Sequence, residues 1–285
     1  MPLQQLVEYF NDRLEIEHNN DVRAFVLEND RVHGLFGPIR IGTRLSPIRE
    51  TMHGSDFIGQ YAQLQTSANP SHNIRALETS GVESVINFDR LSRTVHMLNY
   101  LPQAHLDKLL VLDVDARHIL GVKEDHGAYF EEIIIKCGLQ TSHVAINLAI
   151  NSAYARLYPA LLKGLENYQR RGYRLALKFD MESLHKSANE LIVRIAPDFV
   201  GVSALDLDLS RDGRQLEKLY ELNVLTNSVQ GRSILFNIED MQHAYLARQT
   251  GFTLLQGDYF DLPTKSMIYK TEPEIGAACK NLVNN

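Results

Sequence analysis

Residues 159–179 read PALLKGLENYQRRGYRLALKF, and the fold turns on how this stretch is parsed. Pro159 near the start, then Leu161, Leu162 and Leu165 on one stripe, predict a helix over Pro159–Arg171. Gly172 terminates it, and Tyr173–Phe179 follows as a short apolar strand. The same unit repeats on either side. Strands are expected at Leu109–Val114, Val144–Leu148, Phe199–Leu205, Ser233–Phe236 and Phe252–Leu255. Helices are expected at Tyr129–Cys137, Leu184–Ile195, Leu216–Leu225 and Glu239–Thr250. Short apolar strands covered by helices imply a parallel sheet.

Upstream, Val22–Leu27, Gly34–Ile41 and Thr43–Ile48 are β-like, and Phe88–Leu101 fits a helix. These additions bring the total to about eight strands, so a closed TIM-type α/β barrel is the expected fold, with an open doubly wound sheet second. No GxGxxG or GxxxxGK[ST] loop supports the open sheet. Leu3, Leu6, Val7, Phe10 and Leu14 predict an extra N-terminal helix that packs on the domain or on a partner. Thr66–Gly81 reads as a loop or insertion. The organisation expected is residues 1–29 as helix and lead-in, 30–263 as barrel and 264–285 as a short tail, where Tyr269, Ile275, Ala277 and Ala278 suggest a helix or a partner-binding segment.

Composition narrows the function. The net charge of −6 gives no general attraction to nucleic acid or to an anionic membrane. Cys137 and Cys279 form no CxxC pair, and the histidines form no HxxxH or HExxH pair, so a zinc site is not expected. The N-terminus lacks a signal peptide's basic and apolar regions and no apolar run approaches ~20 residues, so the chain reads as cytoplasmic. Asp113-x-Asp115 and Asp206-x-Asp208 are the acidic pairs at strand ends.

Several segments resemble the bacterial EAL domain, a barrel that hydrolyses cyclic di-GMP. Residues 251–263, GFTLLQGDYFDLP, are similar to its closing Gln-Gly-Tyr-x-Phe-x-x-Pro run through Gln256, Gly257, Tyr259 or Phe260, and Pro263. Phe236-Asn-Ile-Glu239-Asp stands where the family has Glu-Gly-Val-Glu-Thr. The strands starting at Arg171 and Ala196 resemble two further family strands. Near the start, Leu35-Phe-Gly-Pro-Ile resembles Tyr-Gln-Pro-Ile, and Ser55-Asp-Phe-Ile resembles the opening of the first helix.

The resemblance implies hydrolysis by two divalent cations held on converging carboxylates. The matching positions depart from it. Thr43 takes the place of the signature glutamate, Asn147 begins the Glu-Leu-Thr-Glu strand, Lys178 and Phe179 replace paired aspartates, Gly201 replaces the catalytic lysine, Ser203 the aspartate after it and Phe236 a glutamate. Asp113 takes an asparagine ligand's position, Gly37 a guanine-contacting glutamine's, and a phosphate-contacting arginine falls near Pro47. The chain is therefore expected not to be an enzyme and to need no cofactor. It reads as an inactive EAL-like domain that regulates through protein–protein contact or self-association, with cyclic di-GMP binding weak or absent. Met181, Leu184 and Phe236 are the expected interface; Glu239 and Gln256 are vestigial ligand-binding residues. The alternatives are a non-hydrolytic cyclic di-GMP receptor and an unrelated metal-dependent barrel enzyme using Asp206, Asp208 or Asp113.

Overall fold

In the computed structural model, residues 2–18, 23–52, 56–66, 81–104, 108–122, 125–207 and 213–260 are described. A helix, α1 (Leu3–His18), precedes four strands: β1 (Phe25–Glu28), β2 (Arg31–Phe36), β3 (Ile39–Glu50) and β4 (Phe57–Thr66). Then come α2 (Val82–Tyr100), β5 (Leu109–Val114), α3 (Ala116–Gly121), α4 (Ala128–Lys136), β6 (Val144–Ile150), α5 (Tyr158–Arg170) and β7 (Arg174–Phe179). The chain continues through α6 (Lys186–Ile195), β8 (Phe199–Ser203), α7 (Gly213–Ser228), β9 (Arg232–Phe236), α8 (Met241–Thr250) and β10 (Leu254–Gln256).

Strands β3 to β10 close into an eight-stranded barrel in the order β3-β10-β9-β8-β7-β6-β5-β4, with β3 returning to β4. β4 to β10 run parallel, whereas β3 is antiparallel to both its neighbours. β1 and β2 extend the sheet from the first half of β3.

Alternation along the strands divides the apolar residues into two bodies. Ile48, Tyr61, Leu109, Val111, Ala145, Ala176, Phe199, Ile234, Phe236 and Leu254 fill the barrel interior. The neighbouring strand residues, such as Leu110, Ile146, Leu177 and Val200, pack outward against the helices. Glycines end helices as the sequence predicts: Gly172 and Gly251 take φ of 82° and 89°, where a side chain would be strained. Ala196 takes the left-handed cap of α6 at φ 45° ahead of Pro197.

The N-terminal helix packs on the domain. Leu6, Val7 and Phe10 are buried, and Asn11 bonds the Phe25 backbone twice, at 2.8 and 2.9 Å. One expectation is corrected. Ser55 lies outside the described residues, and the residues after it do not open a helix: Phe57–Thr66 is strand β4. Its Gln60, Gln63 and Gln65 hid it, because its second half leaves the barrel as a hairpin with β3, pairing Thr66 with Ile41, and apolar alternation is lost there. The Thr66–Gly81 loop and the 264–285 tail fall almost wholly outside the described residues.

Candidate functional site at the C-terminal mouth

Parallel strands aim their inward side chains at one end of the barrel. Counting in twos from the interior residues places Ser46, Tyr61, Asp113, Asn147, Lys178, Gly201, Ser203, Phe236 and Gln256 on the inner wall toward that end.

Asp113 is the centre of a hydrogen-bonded set. The Tyr61 hydroxyl donates to Oδ2 at 2.7 Å, and Asn147 Nδ2 donates to Oδ1 at 2.6 Å. Solvent reaches the carboxyl down the mouth, yet barrel atoms crowd it on every side. That crowding raises its pKa, against the pull of Asn147, Tyr61 and Lys178. Burial first, and the Asp113 charge second, push the Tyr61 phenol well up, so it remains a donor. Lys178 Nζ lies 5.1 Å from the Phe236 ring centroid, and the Tyr61 and Phe236 rings stand 5.4 Å apart. Phe236 fits because residue 201 is glycine. A Cβ there would fall 2.8 Å from the ring and 2.2 Å from the Ile234 carbonyl.

Gln256 is wholly buried and joins three strands. Its Nε2 donates to Ser46 Oγ at 2.8 Å, and its Oε1 accepts from the Asn237 backbone at 3.1 Å. Asn237 Nδ2 in turn donates to Ser203 Oγ at 2.7 Å.

These placements revise several sequence assignments. Thr43 is not at the mouth. It lies on the outer face of β3, bonded to His96 Nδ1 at 2.7 Å. Phe179 faces the helices and packs in the outer core. Gly37 is a turn residue between β2 and β3, at φ 56°. Pro47, expected near a phosphate-contacting position, is paired with Gln60 inside β3. The chain carries two Pro-Ile pairs, and the second, Ser46-Pro47-Ile48, is the one on the barrel strand. In that register the resemblance would place Ser46 at the glutamine position and Tyr61-Ala62, on β4, at the Glu-Ala of the signature. The signal for Tyr61 and Ser46 was present in that second pair and was masked by the first.

Phe236 is 1% exposed, so it cannot itself be an interface residue; the barrel interior consumes it. Met181 and Leu184 are partly buried and packed against the outer core. Glu239 is exposed beyond β9, apart from Gln256. Asp115 turns away from Asp113, caps α3 through the Arg117 backbone at 2.8 Å and pairs with the Arg117 side chain. Asp206 is exposed, and Asp208 lies outside the described residues.

A pair of divalent cations needs several oxygen ligands free to coordinate. Asp113 already accepts from two donors and faces Lys178, and among the described residues no three His, Cys, Asp or Glu side chains converge. The residues present do not fit such a metal centre.

No family model matches the sequence, and no curated protein matches it. Solved structures do. The Klebsiella pneumoniae protein BlrP1, in complex with calcium and cyclic di-GMP, superposes with a TM-score of 0.65 at 16% identity, over 78% of this chain and 55% of that one. Bacillus subtilis YkuI, with an EAL domain and bound to substrate cyclic di-GMP and calcium, gives 0.61 at 17%, over 82% and 56%. The PaMucR phosphodiesterase in complex with cyclic di-GMP gives 0.58 at 15%, over 77% and 95%. This chain spans little more than half the length of the first two. The barrel is therefore the EAL fold. One expectation is overturned: a phosphodiesterase shares this barrel, so the comparison points toward an enzyme and the reading of the chain as a non-enzyme does not stand.

Proposed function

We propose that the chain is a regulatory EAL-type barrel of cyclic di-GMP signalling that acts through protein contact at the rim of its C-terminal mouth. The carrying observation is the contrast between mouth and rim. Inside, Tyr61 and Asn147 donate to Asp113, Gln256 and Asn237 bond their neighbours, and Lys178 lies over Phe236. A ligand entering there must compete with bonds already made. Outside, two large apolar residues are exposed past neighbouring strands, Leu205 (61% exposed) after β8 and Met241 (66% exposed) at the start of α8 after β9, with Leu184 partly buried after β7. Clustered exposed apolar groups mark contact surfaces. The reading keeps Met181 and Leu184 as partly buried support and moves the contact from Phe236 to Leu205 and Met241.

The solved structures bind cyclic di-GMP, which supplies the signalling context. Here Lys178 is on the inner wall, and Arg44, the next inward position on β3 after Ser46, is already paired with Asp258 at 2.9 Å. Each missing charge-assisted contact removes about 1.5–3 kcal/mol, so affinity weaker than about 1 µM is expected. Calorimetry with cyclic di-GMP, in magnesium and in chelator, tests this; a sub-micromolar dissociation constant would make the chain a receptor instead. For the protein contact, the full chain is used to capture its partner from its native extract. Leu205→Asp with Met241→Asp should lose the partner while leaving the circular dichroism unchanged. Capture that survives in the folded double variant would overturn the reading.

A further inference from the structure

The solvent face of α7 is apolar. Leu216, Tyr220 and Val224 recur every fourth residue and are exposed, Tyr220 by 61%. The helix buries Leu219, Leu222 and Thr226 instead, so the stripe has no role in the core. Asn223, three residues after Tyr220 and so on the same side, donates through Nδ2 to the Thr250 carbonyl at the end of α8, at 2.7 Å. The stripe therefore borders the seam between α7 and α8, and α8 exposes Tyr245. Exposed Glu217 and Glu221 line its other border. Apolar groups gathered in this way mark a contact surface.

The sequence after β10 supplies a matching face. Residues 261–285 lie outside the described residues, and their sequence carries a helix signal. Thr271 and Glu274 have the spacing of a capping box, with Pro273 in the first turn. Ile275, Ala278, Cys279 and Leu282 follow at i, i+3, i+4 and i+7, the spacing of one helix face, and Lys280 beside them suits an acidic border. A helix this short is marginal by itself and needs an apolar surface to form on.

Position and reach select the surface. Tyr259 N donates to the Ile238 carbonyl at 3.0 Å, so the chain leaves the barrel beside the start of α8. Residues 261–270 extend up to about 33 Å. α7 has 16 residues and is about 24 Å long, and neighbouring helices pack about 8–10 Å apart. The link thus reaches the whole stripe. A tethered segment also meets it at an effective concentration on the order of millimolar, ahead of a second copy or another protein.

We propose that residues 272–283 form a helix that docks along the α7–α8 seam of the same chain, setting Ile275, Ala278 and Leu282 on Leu216, Tyr220 and Val224. Cross-linking of the full chain tests this in a Cys137→Ser background. Under mild oxidation Cys279 should form a disulfide with the thiol of Tyr220→Cys inside one monomer, and faster than with that of Val193→Cys on the exposed face of α6. Equal rates for the two variants, or a Tyr220→Cys disulfide found only between chains, would overturn the proposal. Hydrogen exchange gives a second readout without new cysteines. Amides of residues 275–283 should be protected, and Leu216→Asp with Tyr220→Asp should abolish that protection while the barrel strands keep theirs. An unprotected tail in the unaltered chain, or protection that survives in the double variant, would equally refute it.

Discussion

At residue 201 the chain has glycine where the family resemblance expects a lysine, and at 236 it has phenylalanine where it expects a glutamate. The structure makes these one change, because the ring occupies the space that a side chain at 201 would need. Gly201→Ala should destabilise by about 1–3 kcal/mol through overpacking, and Phe236→Ala by about 3–5 kcal/mol through the cavity it leaves. Together they should cost less than the sum, since losing the ring relieves one of the added methyl's two contacts, while the Ile234 carbonyl 2.2 Å away remains. Urea unfolding of both single variants and the double variant checks this; strict additivity would separate the two sites. His96 gives a second residue-scale test. It is 5% exposed beneath β3, and burial lowers its pKa from 6.5 to about 4. The folded state thus resists a proton that the unfolded state accepts. Stability is complete above pH 6.5 and falls as the pH drops toward about 4, by up to about 3 kcal/mol over that window. His96→Gln should flatten that part of the pH–stability curve.

Among the elements, β3, β9 and β10 meet at Gln256, and one side chain holds the three together. Gln256→Leu leaves the Ser46 hydroxyl and the Asn237 amide buried without this partner, so a loss of about 1–3 kcal/mol for each stranded group is expected in chemical denaturation. The strands and helices after residue 109 were legible because each strand is buried on both faces and reads as an unbroken apolar run, as Leu109–Val114 does. β4 was not, because half of it lies outside the barrel and pairs only with β3. The site was readable to the same degree. Asp113, Asn147, Lys178, Gly201 and Phe236 sit on parallel strands whose period could be counted. Tyr61 and Ser46 sit on the irregular β3–β4 pair, where the first of two Pro-Ile pairs misled the register.

For the molecule as a whole, the fold is shared with proteins solved around cyclic di-GMP and calcium, while among the described residues no three His, Cys, Asp or Glu side chains converge as a cation pair requires. Titrating magnesium or manganese into the full chain should therefore give no binding heat at the mouth, and Asp113→Asn should change nothing in that titration. A stoichiometric, Asp113-dependent heat would show a metal centre that the side-chain arrangement conceals. The Cys137 thiol, pushed up to about 12 by burial, should stay unmodified by a disulfide reagent at pH 8 in a Cys279→Ser background.

The antiparallel strand at the barrel seam also bears on how the molecule is made. β3 finds one barrel neighbour at once, in β4, but its other neighbour is β10, and Ser46 meets Gln256 across 210 residues of chain. At about 5–20 residues per second, a ribosome delivers β10 roughly 10–40 seconds after β3 has emerged. Through that interval the second half of β3, beyond its pairing with β2, is unpaired on one side, and such edges recruit other chains. Translation speed and chaperone supply should then govern the soluble yield of this protein more than the stability of the finished barrel does.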